Sequence, residues 1–200
     1  MIYVEGDTEA CLKPFFKQWL DRNIEPRIEI SLVNFAGVGN YLKDFAERAK
    51  RDLDRGKVSG IIGLIDYFGS SLPYPHNSVA ENYTWAKQRL ESLVGNVRFR
   101  QHFAVNEIEA WLLSDAEIFP QRIADDLPKA AKPESVNFQN PPCKRIRDLY
   151  WRKLERKYKK PTDGAKLFAK LDPDVAGDRC PHLRLLFEDL LQLARNAEQL

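Results

Sequence analysis

No run of 18 apolar residues occurs anywhere in the sequence, so no membrane-spanning helix is expected. No signal-peptide pattern precedes the first apolar stretch, which already starts at Ile2. Cysteine is scarce: Cys11, Cys143 and Cys180 are odd in number and form no C-x-x-C pair. That argues against a disulfide framework or a zinc site and for a reducing cytoplasm. A dominant charge is missing too, since 31 basic and 29 acidic residues leave a net charge of +2. Any attraction to nucleic acid must therefore come from local patches. There is no G-x-x-x-x-G-K-[ST] loop, so the chain is not expected to hydrolyse ATP by itself, and no G-x-S-x-G elbow supports Ser-His-Asp catalysis. What remains is an ordinary globular composition: 200 residues, 44% apolar, enough to bury a substantial core in one domain or a domain with a helical appendage.

The pattern along the chain alternates strand and helix. Ile2, Tyr3 and Val4 read as a short buried strand, with Gly6 allowing a turn and Thr8 suited to cap a helix. Residues 9–22 carry Leu12, Phe15, Phe16, Trp19 and Leu20 at helical spacing, with Pro14 tolerated in the first turns. Residues 28–35 predict a second strand. After Gly37 and Gly39, Asn40 is a candidate cap for a helix over 41–55, with Leu42, Phe45, Ala49 and Leu53 as its buried stripe. Residues 60–65, G-I-I-G-L-I, are apolar throughout, as in a central parallel strand covered on both faces. A proline-containing loop, a helix over 79–93 and a strand over 97–105 follow.

Acidic residues recur where strands end. Glu5 follows the first strand, Asp66 follows 60–65, and Glu107 and Glu109 follow 97–105. Ligands in open α/β folds gather at the carboxyl edge of the sheet. Asp7 and Glu9 are also explained by the positive end of a helix, and Glu107 and Glu109 by a first helical turn. Glu5 precedes its helix and needs another account, as metal ligand or acid/base. If the strands are neighbours, Glu5 and Asp66 face one crevice, where a divalent metal or a shared proton relieves their repulsion.

These segments carry a resemblance. V-E-G-D-T-E at 4–9, I-D-Y-F-G at 65–69, N-E-I-E-A at 106–110, C-K-R-I at 143–146 and C-P-H-L at 180–183 resemble, in order and spacing, a bacterial Toprim-like family. That family is related to the Toprim domains of OLD-type (overcoming lysogenisation defect) nucleases and often accompanies AAA-type ATPases. The resemblance implies a three-layer α/β Toprim-like domain with a mostly parallel sheet, here over 1–117; residues 118–200 read as an irregular cover and a helical C-terminal extension packed on that core. It implies a metal-ligand or acid/base role for Glu5 and Mg2+ binding by Asp66. Phe68 stands where a second aspartate is usual, so Glu107 and Glu109 are the candidates to supply the missing ligand. Asn106 replaces a frequent histidine.

The back third differs in character. Residues 118–142 are proline-rich, with Pro120, Pro128, Pro133, Pro141 and Pro142, and read as an irregular cover. Residues 143–160 predict a basic helix with Leu149, Leu154 and Tyr158 inward. Arg147, Arg152, Lys153, Arg156, Lys157, Lys159 and Lys160 then face outward beside Tyr150 and Trp151. Such a stripe suits a phosphate backbone; a solvated face balanced by Asp148 and Glu155 explains it equally well. Two further helices are predicted, over 163–171 and 177–197. His76, His102 and His182 read as packing or capping residues, and Cys143 and Cys180 as small apolar groups. The preferred expectation is a cytoplasmic Mg2+-dependent nuclease, with Mn2+ as substitute. Glu5 and Asp66 would be catalytic, Glu5, Asp66, Glu107 and Glu109 would hold metal, and Lys144 would offset phosphate charge. Arg145, Arg147, Arg152, Lys153, Arg156 and Lys157 would bind nucleic acid. The alternatives are a non-catalytic metal- or nucleotide-binding module that docks a partner protein, and a phosphoesterase acting on small nucleotides.

Overall fold

The computed structural model describes residues 1–6, 11–56, 58–127, 132–135 and 139–197. Asp7, Thr8, Glu9 and Pro128 lie outside the described residues. Four strands, β1 (Ile2–Val4), β2 (Leu32–Asn34), β3 (Ile61–Asp66) and β4 (Phe99–Ala104), form one sheet in the order β2-β1-β3-β4. Every pairing is parallel. Ile2 lies opposite both Leu32 and Ile62, and Asp66 opposite Ala104, so all four carboxyl ends share one edge.

Alternation along the strands splits the core between two faces. On one face Tyr3, Ile61, Ile65, Phe99 and Phe103 pack against α2 (Val38–Asp54) and α3 (Val79–Val94). On the other, Ile2, Val4, Ile62, Leu64 and Ala104 meet α1 (Leu12–Asn23) and the C-terminal helices. The result is a three-layer α/β fold in which the helical C-terminal region supplies much of the second helical layer. After β4 the chain forms α4 (Glu109–Leu112), α5 (Gln121–Ala124), α6 (Pro142–Leu154), α7 (Ala165–Phe168), α8 (Pro173–Arg179) and α9 (Pro181–Ala197).

Several boundaries differ from the periodicity for local reasons. The second strand shortens from the predicted 28–35 to Leu32–Asn34 because its partner β1 has only three residues. The fourth shortens to Phe99–Ala104, leaving Val97 77% exposed. Helix α2 starts at Val38, with Gly37 at φ 124° as its cap and Asn40 already inside, where its Nδ2 donates to the Ala36 carbonyl. Tyr41, rather than Leu42, enters the buried stripe because its hydroxyl donates to Gln101 Oε1 across the sheet at 2.7 Å. That hydrogen-bonded pair sits over Gly63, where no Cβ fits.

The predicted basic helix over 143–160 also stops short. Glu155 adopts a left-handed conformation, φ 51°, and ends α6 at Leu154. Arg156 then donates to both oxygens of Asp163, at 2.9 and 3.1 Å, and its guanidinium lies 4.7 Å over the Tyr150 ring. The clamp folds residues 155–159 back onto a wide turn, Lys160–Gly164, that leads directly into α7. The helix expected over 177–197 is two helices. Pro181 has no N–H to continue α8 and instead opens α9, where the φ of proline is already suitable.

Candidate functional site

At the carboxyl edge, Asn106 is the pivot. It follows β4 at φ 70°, a left-handed value that asparagine tolerates better than most residues, and its Nδ2 donates to the Ser135 carbonyl. The backbone bends there and presents Glu107 and then Glu109 at the start of α4. Asp66, ending β3, accepts from the Ile108 N–H through Oδ1 at 3.1 Å, which ties the two strand ends together. Glu107 Oε2 accepts from the Cys143 N–H at 2.9 Å, so the positive end of α6 points at this acid.

Glu109 is 1% exposed, and neither carboxylate oxygen has a hydrogen-bond donor among the described residues. Its neighbour is Lys160. The Lys160 Nζ forms an ion pair with Glu109 Oε2 at 3.0 Å and lies 4.0 Å from Glu107 Oε1. Burial pushes the Glu109 carboxyl above its ordinary range, with Lys160 pulling the other way. Burial would lower Lys160, but Glu109 and then Asp66 outweigh it and hold the ammonium above its usual value. Lys160 is therefore a fixed positive charge at neutral pH. Burial first, and Glu109 next, push the Cys143 thiol up to about 11, so it stays protonated.

The potential ligand atoms of Glu107, Glu109 and Cys143 lie within 4.8 Å of one another. Asp66 is not part of that group; Glu107 and Glu109 supply its hard oxygen donors, which suit a divalent cation that prefers oxygen. Cys143 does not fit such an ion, because a neutral thiol is a poor ligand for it. Lys160 competes for the same negative charge.

Residues 4–191 match the family described as a domain of unknown function (DUF4276). The chain belongs to the DUF4276 family. No curated protein and no solved structure matches it.

In this DUF4276 chain, Glu107 and Glu109 come together after β4, and Asp66 ends the neighbouring strand, tied to the Ile108 N–H. Glu5 lies at the same edge, one residue beyond β1, where its carbonyl accepts from the Gly37 N–H as the chain enters α2. Lys144, expected beside the phosphate, is exposed and pairs with Asp148 at 3.4 Å. The cation that reaches the acids is Lys160, which the helical pattern had turned outward. Lys153 pairs with Asp126, and Arg156 with Asp163. Arg147, Arg152 and Lys157 are exposed and Arg145 half-buried, none with a carboxylate partner among the described residues.

Sequence reasoning also missed Glu134, which lay in the proline-rich cover. Its carboxylate accepts from the His182 and Leu183 N–H groups, at 2.8 and 3.2 Å, and lies 2.9 Å from His182 Nδ1, capping α9. His102 is buried and bridges the Tyr83 hydroxyl to Asp189, a packing role. No helix among the described residues is long and apolar enough to cross a membrane.

Proposed function

We propose that this chain is a Mg2+-dependent phosphodiesterase of nuclease type, with Mn2+ able to substitute, acting on nucleic acid in a bacterial defence or DNA-maintenance system beside an AAA-type ATPase. The setting and the ATPase partner rest on the resemblance to Toprim-like proteins. The chemistry rests on the acidic edge. The observation that carries it is Glu109: a carboxylate withdrawn from water and grouped with Glu107, with the Lys160 ammonium as its neighbour. Burying a carboxylate costs several kcal/mol, a cost that a function at this edge would explain.

Asp66, Glu107 and Glu109 would hold the metal, with Glu5 at the same edge as a further ligand or acid/base. Once bound, a divalent ion supplies an activated water and stabilises charge on the phosphoryl oxygens. The protein's own residues do the rest. The Ile108 and Cys143 N–H groups fix the orientations of Asp66 and Glu107. Lys160, held protonated, offers a fixed charge to a phosphate oxygen and does not trade protons.

The Lys160 contact also favours a second reading. An ammonium already 3.0 Å from Glu109 suits a non-catalytic module in which the acids are structural and the surface docks a partner. One assay separates the two: purified protein with plasmid, single-stranded DNA, RNA and cyclic nucleotides, in Mg2+, Mn2+ or EDTA. The nuclease reading expects metal-dependent cleavage of a nucleic acid, lowered roughly 100-fold or more in Asp66→Asn and Glu109→Gln. Cleavage that survives both substitutions removes this site, and absence of cleavage in every condition favours the docking module.

A further inference from the structure

Trp151 is the largest exposed aromatic of the described residues, 62% accessible on α6. With Arg147, Asp148, Lys157 and Tyr158 it lines an open cleft of about 520 Å³. The surrounding bases fall into two groups. Lys144, Lys153 and Arg156 are each neutralised by an aspartate, whereas Arg147, Arg152 and Lys157 have no carboxylate partner among the described residues. The cleft's own Asp148 is already paired with Lys144. What faces solvent is a bare indole beside the unpaired cations Arg147, Arg152 and Lys157, which outnumber the exposed carboxylate of Glu155.

The cleft is joined to the acidic edge in two ways. Cys143, Arg147 and Trp151 are spaced by four residues and form one stripe on α6. At the helical rise, Arg147 and Trp151 stand about 6 and 12 Å along the axis from Cys143, whose N–H holds Glu107. Tyr158, the cleft's inner wall, is 6% exposed, and its ring packs on Tyr150 at 5.2 Å. The buried Tyr158 hydroxyl has no hydrogen-bond partner among the described residues, and burial first, then Glu109, pushes the phenol up.

Unpaired cations complement phosphates, and an exposed indole complements the face of an unpaired base; a duplex offers the first and keeps its bases stacked away from the second. We propose that α6 leads single-stranded nucleic acid to or from the acidic edge, with one unpaired base stacked on Trp151 and adjoining phosphates held by Arg147 and Lys157. This names the substrate class of the phosphodiester site proposed above and rests on that reading.

The test is binding by the full chain in EDTA, so that cleavage plays no part, using labelled oligothymidine and a blunt duplex read by fluorescence anisotropy. Single strand should bind more tightly than duplex. Trp151→Ala should weaken the single-strand complex about 10-fold or more, while Trp151→Phe keeps most of the affinity. Arg147→Ala and Lys157→Ala should each flatten the dependence of log affinity on log salt by about 0.7. Trp151 is exposed, so its variants should melt with the parent protein. Equal affinity for duplex and single strand, no binding to either, or Trp151→Ala without effect overturns the proposal. Trp151-dependent binding without cleavage in Mg2+ or Mn2+ would sink the nuclease reading and keep this one. Cleavage with binding indifferent to Trp151 would do the reverse.

Discussion

Replacing Lys160 with methionine removes the ammonium that stands within 4.0 Å of both Glu107 and Glu109 while keeping much of the side chain's bulk. Glu109 is 1% exposed and would then be a buried carboxylate without a counter-charge. Removing one partner of a buried ion pair costs about 3–5 kcal/mol. The Lys160 side chain keeps 22% of its surface in water, which points to the low end, about 3 kcal/mol at neutral pH. Protonation limits the loss. Burial already raises the Glu109 carboxyl, and without Lys160 it rises further. A raised carboxyl keeps its proton longer in the folded chain than in the unfolded one, so its destabilising effect grows as pH climbs through the folded value. Wild-type Lys160 keeps its charge throughout, because its own pKa lies above the ordinary lysine value. Urea unfolding followed by tryptophan fluorescence should therefore show the variant about 3 kcal/mol less stable at about pH 8 and clearly less penalised at about pH 5. Adding Glu109→Gln should recover most of the loss. A deficit below about 1 kcal/mol at the higher pH, or one equal at both, would refute the pairing argument.

Glu134→Ala removes the acceptor shared by the His182 and Leu183 N–H groups. It should cost about 2 kcal/mol as a lost cap, a fall of roughly 4–8 °C in Tm by calorimetry. Gly63→Ala would drive a methyl group into the Tyr41 hydroxyl, Gln101 Oε1 and the Phe99 ring; a loss of about 3 kcal/mol in urea unfolding is expected. His102 is held down to about 4, chiefly by burial and against the pull of Asp189. The unfolded chain takes up that proton below about 6.5 and the folded chain does not, so stability should fall by roughly 3 kcal/mol as pH drops toward 4. His102→Gln should remove that part of the acid slope in unfolding titrations.

The sheet was readable because its central strand is a continuous apolar run, and because residues that end strands on an acid recur. Those features needed no knowledge of neighbours. Asp66, Glu107 and Glu109 were candidates for the same reason, and parallel pairing then set their strand ends side by side. Lys160 was hidden because helical periodicity ran straight through Glu155. A left-handed residue and a clamp from Arg156 to Asp163, seven residues apart, are tertiary facts that no local pattern marks. Glu134 was hidden by the low information content of a proline-rich segment, where its neighbour in space, His182, lies 48 residues away. The break at Pro181 was visible in principle, since proline disfavours helix in the residue before it, but the strong apolar stripe of α9 drew the predicted helix back across it.

The central claim is that acids from neighbouring strand ends share a divalent ion. Calorimetric titration of Mn2+ into the full chain measures this directly. The account predicts saturable binding that disappears in Glu109→Gln and in Asp66→Asn while both variants stay folded. Binding of the same strength in those variants, or no binding by the wild-type chain, would contradict it.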